Sequence, residues 1–244
     1  MGSDPVGAAS ALITLVISAT ELEGEEVVVD GHVYRHLFRA RRMTGNESVR
    51  FVDGAGSARF GRPLKVEADS ARFDLGQRAP ANEPSRHVEL LAPVPKASRL
   101  SWMVEKATEI GVSAIRLMHT ERAPRGLGRG TLERLGRVAI AAVQQCQRSV
   151  VPQISGVHTF DEIPDILASI PCRWFLQPGA AGADPEAAST RAALLVGPEG
   201  GWTEEELERL SAWGCRPVGM GPTVLRVETA ATVGCAALLL AGRE

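Results

Sequence analysis

Five residues, Gly197-Pro198-Glu199-Gly200-Gly201, stand between an apolar run at 192–196 and the acidic segment Trp202-Thr203-Glu204-Glu205-Glu206-Leu207. The apolar run has the length of a buried strand rather than of a core helix. Thr203 followed by Glu206 is a capping-box signature for the start of a helix. Three glycines and a proline therefore fall where a strand hands over to a helix, at the carboxyl end of a sheet. There, bare backbone N–H and C=O groups can approach a ligand closely. The loop has neither the GxxxxGK[ST] spacing of a phosphate-binding P-loop nor the GxGxxG dinucleotide fingerprint. A phosphate would also meet the Glu199 carboxylate, so the chemistry favours a neutral or cationic ligand. The competing reading is a tight structural turn.

A second segment, Met220-Gly221-Pro222-Thr223-Val224-Leu225-Arg226-Val227-Glu228-Thr229-Ala230, repeats the arrangement of short strand, Gly-Pro turn and helix. Two such loops on one sheet would face the same crevice. Arg226 and Glu228 stand beside it; taken alone they read as a surface ion pair. His32 and His36 have the spacing of two metal ligands on a helix, but no third ligand of suitable spacing accompanies them, so no metal is expected.

The elements behind these loops can be read from periodicity. Strand patterns at 88–92, 114–118, 173–176, 192–196 and 217–220 alternate with helical patterns at 99–110, 131–147, 203–212 and 228–241. That alternation predicts an α/β domain with a mostly parallel sheet. The first third instead carries short strand patterns at 11–17, 26–29, 48–52, 57–60 and 71–75, one helical insert at 32–42, and a hairpin signal in Asp53-Gly54-Ala55-Gly56. Several short strands in succession predict a small barrel. Pro80 and Pro84 punctuate a polar stretch, which sets a first domain at 1–78, a linker at 79–86 and the α/β domain at 87–244.

With 244 residues, 44% apolar and 23% charged, the chain has the makeup of a globular protein of one or two domains. The apolar run at 11–19 is too short to span a bilayer, and Asp4 is the only charge before it, which argues against a signal peptide. Cys146, Cys172, Cys215 and Cys235 form no CxxC pair, so reduced thiols in a cytoplasmic protein are expected. The formal net charge of −2 argues against indiscriminate coating of nucleic acid, yet the cations are unevenly placed. Arg35, Arg39, Arg41, Arg42, Arg50, Arg59, Arg62 and Lys65 face only Glu47 and Asp53 in sequence. Arg116, Arg122, Arg125, Arg129, Arg134 and Arg137 face only Glu121 and Glu133. Two such patches suit a polyanion docked at chosen places, or an ordinary solvated surface.

Taken together, the two loops resemble the signature loops of the RsmE family of SPOUT-superfamily methyltransferases. The resemblance extends through Val94-Pro95-Lys96, Glu105-Lys106-Ala107-Thr108-Glu109-Ile110-Gly111-Val112, Thr120-Glu121-Arg122 and Ala141-Ala142-Val143-Gln144-Gln145-Cys146-Gln147-Arg148-Ser149 to Val151-Pro152. His36-Leu37 with Arg42 and Gly45 resembles the family's PUA-like RNA-binding domain. The chain departs from the family in lacking an Arg-Phe-Phe opening, in Asn46 where aspartate is common, and in Thr223 where arginine is common.

The resemblance implies a C-terminal domain tied in a trefoil knot, a PUA-like β-barrel before it, and a site completed across a homodimer. It implies S-adenosylmethionine as cofactor, held by Leu176, Gln177 and Pro178, by Gly197, Pro198, Glu199, Gly200 and Gly201, and by Met220, Gly221, Pro222, Val224 and Leu225. A sulfonium cation suits a loop bearing Glu199. The implied reaction is methylation of N3 of one uridine in 16S rRNA, free or in the 30S subunit. Arg148 and Arg226 would stabilise the uracil anion, Gln145 would orient the base, and Glu228 would take the proton; Arg148 reads equally as a phosphate clamp. Arg35, His36, Arg39, Arg42, Lys96 and Arg122 would contact RNA. Two other readings stay open: a non-catalytic RNA-binding or ribosome-assembly factor on the same scaffold, and a methyltransferase acting on a different nucleotide.

Overall fold

A computed structural model of the chain describes residues 13–40, 43, 47–182 and 189–240, the side chains of His36 and Ala40 excepted. Arg42, Gly45, Asn46 and the His36 side chain, all singled out in the sequence, lie outside the described residues. The chain divides into two compact units, residues 1–83 with 143–150, and residues 84–142 with 151–244.

The first unit is built on a five-stranded mixed sheet in the order β1-β3-β4-β5-β2. Its strands are β1 (Ile13–Val16), β2 (Glu26–Asp30), β3 (Val49–Val52), β4 (Ala58–Val66) and β5 (Ser70–Arg78). β1 runs parallel to β3, and the other pairings are antiparallel. The Asp53 turn is the expected hairpin: Asp53 Oδ1 accepts from the N–H groups of Ala55 (2.8 Å) and Ser57 (2.9 Å). β4 and β5 are much longer than their patterns suggested, because exposed Arg62, Lys65, Arg72 and Asp74 interrupt the apolar signal along them. Pro63 is tolerated in β4 at a register shift. α1 (Ala19–Glu23) precedes β2. The expected helix at 32–42 is instead α2 (Gly31–Tyr34) followed by a π-helical segment Arg35–Ala40. Tyr34 stacks on Phe38 at 4.8 Å, and both join Leu37, Phe51 and Phe73 in the core.

Residues 143–150 are fastened to this sheet by a buried polar network. Arg50 on β3, 1% exposed, donates to the carbonyls of Gln147 (3.0 Å), Arg148 (3.1 Å) and Pro80 (2.8 Å) and to Ser149 Oγ. Burial pushes the pKa of its guanidinium down, and the Glu83 carboxylate pulls it back up. Gln147 takes a left-handed backbone conformation (φ 63°) at this turn.

The second unit is a six-stranded sheet in the order β11-β9-β10-β6-β7-β8, and every one of its pairings is parallel. Its strands are β6 (His87–Pro93), β7 (Ala114–Met118), β8 (Gln153–His158), β9 (Cys172–Leu176), β10 (Arg191–Leu195) and β11 (Arg216–Val218). The helices are α3 (Ala97–Ile110), α4 (Thr131–Cys146), α5 (Ile163–Leu167), α6 (Glu204–Ala212) and α7 (Val227–Leu240). β8 and α5 carry no sequence signal strong enough to read. β8 is a half-buried edge strand interrupted by Gly156, so it lacks the apolar run of an inner strand.

Alternation along the inner strands sorts side chains onto two faces. Val88, Leu90, Ala92, Ala192, Leu194, Trp174 and Leu176 meet α3, α4 and α7 on one face. Leu91, Ala193, Leu195 and Phe175 meet α5 and α6 on the other. Gly111, in the left-handed conformation (φ 111°), ends α3 and returns its N–H to the last carbonyls. All the parallel strands point their carboxyl ends the same way, and the loops singled out from sequence emerge at that edge.

Candidate functional site

From β6 the chain runs outward through β7 to β8, then crosses to build β9, β10 and β11 on the other side. The strand order therefore reverses between β6 and β10, the place where open parallel sheets bind ligands. The glycine loop after β10 stands there, flanked by the loops after β9 and β11.

The glycine loop is held rigidly. Gly201 N–H donates to Pro198 O at 2.8 Å, closing a turn whose φ of 72° at Gly201 requires glycine. Trp202 lies beneath it, donating its indole N–H to Leu176 O at 3.1 Å. A Cβ on Gly197 would come within 2.9 Å of that indole nitrogen, so the close approach also requires glycine. The expected capping box forms: Thr203 Oγ1 accepts from Glu206 N–H at 3.2 Å, and Glu206 Oε2 accepts from Thr203 N–H at 2.9 Å. The other Glu206 oxygen accepts from Glu121 N–H (2.9 Å), which ties the loop after β7 to the start of α6.

Together the three loops enclose a cavity of about 320 Å³. Of the residues expected to hold a cofactor, Leu176, Gln177, Pro178, Gly197, Pro198, Glu199, Gly201, Met220, Gly221, Val224 and Leu225 line it. Gly200 faces a neighbouring cavity instead, and Pro222 is not part of either lining. Val196, Val218, Trp202, Leu207, Val227 and Ala230 complete an apolar wall that sequence reasoning did not assign.

The neighbouring cavity, about 420 Å³, is shared by the loops after β6, β7 and β10. Lys96 and Arg122, expected to contact RNA, both line it, as does Arg125. Arg122 also braces the glycine loop, donating to Gly200 O (2.7 Å) and Trp202 O (3.3 Å).

Glu199 is not a bare carboxylate. Arg99, in the first turn of α3, lies 2.5 Å from Glu199 Oε1, and its Nε lies 3.6 Å from Glu228 Oε1. Glu228 is 7% exposed, and its second oxygen makes no hydrogen bond. Exposed Arg226 lines a small surface cleft with Arg99, Trp102 and Glu228. Sequence reasoning missed Arg99 because its two partners lie far away along the chain. The hint available was its place three residues after Lys96, just past a strand end.

The remaining expected residues are placed elsewhere. Arg148 is 3% exposed, and its guanidinium grips Glu83 through Nε (3.0 Å) and Nη2 (2.7 Å). Glu83 Oε1 also accepts from the N–H groups of Ser149 (2.7 Å) and Val150 (2.9 Å). Burial and the two-pronged pair make Arg148 a strut of the first unit. Gln145 is exposed on the last turn of α4. Arg35 and Arg39 are exposed on the π-helical segment, where Arg35 Nε donates to Gly31 O at 3.2 Å. Among the described residues no three His, Cys, Asp or Glu side chains gather as metal ligands, and no helix is long and apolar enough to cross a membrane.

A parallel α/β domain with a rigid glycine loop at the strand-order reversal defines a small-ligand-binding domain beside a basic cavity. The profile of the RNA methyltransferase domain family matches residues 82–239, and the chain belongs to that family, as the RsmE resemblance of its loops implied. It is similar to Ribosomal RNA small subunit methyltransferase E of Synechocystis sp., 27% identical over 230 residues, 91% of this chain and 75% of that one. The protein of the same name from Mycobacterium tuberculosis is 29% identical over 231 residues, covering 88% and 86%. Among solved structures, the Ribosomal RNA small subunit methyltransferase E from Neisseria gonorrhoeae bound to S-adenosyl methionine matches with a TM-score of 0.81 at 25% identity, covering 94% of this chain and 97% of that one.

Proposed function

We propose that this chain is an S-adenosylmethionine-dependent methyltransferase that methylates N3 of a specific uridine in 16S rRNA of the small ribosomal subunit. The observation that carries the reading is the cavity of about 320 Å³ at three strand-end loops, lined by the glycine-proline loops and by apolar side chains such as Val196, Val218 and Leu207. Such a lining suits an adenosine, whose base needs apolar cover and whose ribose needs backbone partners. The loops after β9, β10 and β11 would hold the cofactor, which when bound supplies an electrophilic methyl group on a sulfonium.

The chain's own residues do the rest. Methylation requires the N3 proton to leave uracil. The unpartnered Glu228 oxygen is the candidate acceptor, with Arg99 fixing its other oxygen and Arg226 beside it as the cation for the developing anion. Arg35, Arg39, Lys96 and Arg122 would dock the RNA backbone. The family resemblance further supports a trefoil knot in the second unit, a PUA-like barrel in the first, a homodimer, and action in the cytoplasm. The test is direct. Purified protein is incubated with labelled S-adenosylmethionine and 16S rRNA or 30S subunits, and the digested nucleosides are read by mass spectrometry. N3-methyluridine is the expected product, and its absence from both substrates overturns the proposal. Glu228→Gln is expected to lower turnover by about 10²–10⁴ with cofactor affinity unchanged.

A further inference from the structure

We infer that the cavity of about 420 Å³ beside the glycine loop receives the target nucleotide, with Lys96 and Arg125 binding its phosphate. The inference rests on the methyltransferase reading and gives that reading its substrate pocket.

Four observations lead there. The cavity has the size of a small-molecule site. It shares Pro198, Glu199 and Val227 with the cavity assigned to the cofactor, so the two cavities adjoin along these residues. Its lining is divided: Pro93, Val94, Pro95 and Val227 offer an apolar surface for a base, while Lys96, Arg122 and Arg125 bring cations. Lastly, these cations differ in what already holds them. Arg122 is engaged with the loop carbonyls, whereas Lys96 and Arg125 make no ion pair among the described residues although both are exposed at the cavity mouth.

One obstacle, the negative charge of Glu199, is removed by Arg99 at 2.5 Å. An anion can therefore enter from the Lys96–Arg125 side without meeting an uncompensated carboxylate. A nucleotide seated this way puts its phosphate at the cations and its base at the Pro198–Glu199–Val227 edge, where the cavity adjoins the one assigned to the cofactor and where Val227 stands between Arg226 and Glu228 in the chain. Loading one nucleotide requires that it be drawn out of its RNA stack, which apolar cover for the base offsets.

The test uses the full chain. Calorimetry compares uridine 5′-monophosphate with uridine in the presence of S-adenosylhomocysteine, for the wild type and for Lys96→Ala with Arg125→Ala. The wild type is expected to prefer the monophosphate by about tenfold or more, as a charged hydrogen bond would give, and the double variant to lose that preference. In methyl transfer the double variant is expected to raise KM for rRNA with S-adenosylmethionine affinity unchanged. Its log–log salt slope for RNA binding should fall by about 0.7 for each single-strand phosphate that is no longer neutralised. Equal binding of uridine and its monophosphate by the wild type overturns the inference. So does a parallel loss of S-adenosylmethionine affinity in the double variant, which would give the cations to the cofactor's carboxylate. If the wild-type chain transfers no methyl group to rRNA, the methyltransferase reading fails instead, and the monophosphate comparison still decides the pocket.

Discussion

Glu199, which lines both cavities, shares one guanidinium with Glu228. Arg99 approaches Glu199 to 2.5 Å and Glu228 to 3.6 Å, so neither carboxylate stands alone. The sequence suggested that Glu199 would repel phosphate and attract a sulfonium; with Arg99 in place, the loop is close to neutral. Arg99→Ala should therefore separate two affinities. Without the guanidinium, Glu199 still suits a cationic cofactor but repels a nearby phosphate by on the order of 1–2 kcal/mol at a partly solvated site. Cofactor affinity, measured by calorimetry, is expected to hold or tighten while rRNA affinity falls about tenfold. An equal loss of both would mean that Arg99 acts only as a packing residue. Gly197 makes the complementary point: its lack of a side chain is what lets the Trp202 indole brace the loop.

At the scale of elements, the strand ends of the parallel sheet do the positioning. Loops after β6, β7 and β10 surround one cavity, and loops after β9, β10 and β11 the other, so the glycine loop after β10 serves both. In the first unit the end of α4 and the turn after it are fastened by the Arg148–Glu83 pair and by Arg50 beneath it. Because Arg148 is nearly fully buried, truncating it leaves Glu83 without its main counter-charge, a loss of about 3 kcal/mol when a buried pair is broken. Arg148→Ala should lower the thermal unfolding midpoint. At temperatures where the variant is folded, turnover per folded molecule should stay within a few-fold of wild type. Normal stability with lost turnover would place Arg148 in the reaction.

Over the whole molecule, two buried thiols make stability depend on alkaline pH. Burial holds the Cys215 thiol up at about 11 against its ordinary 9.0, and burial pushes Cys235 up further. A pKa raised by folding means that the contribution is whole below the unfolded value near 9 and is lost as pH rises toward the folded value. Unfolding midpoints should be flat with respect to these groups below pH 9 and fall between pH 9 and 11, with a smaller fall in Cys215→Ala. An identical fall in the variant would assign the alkaline loss to other groups. The sequence by itself determined the alternation of strands and helices, the Thr203 capping box, the Asp53 hairpin and the two glycine-proline loops. Each of these is written in residues close together along the chain, where periodicity and turn chemistry act. Tertiary structure decided what depends on distant pairs. It set the order β11-β9-β10-β6-β7-β8, put residues 143–150 with the first unit, buried Arg148 against Glu83, and placed Arg99 between Glu199 and Glu228. Residues far apart along the chain meet only when the sheet is assembled, so the loop was legible in the sequence, but the charges that govern what enters it were not.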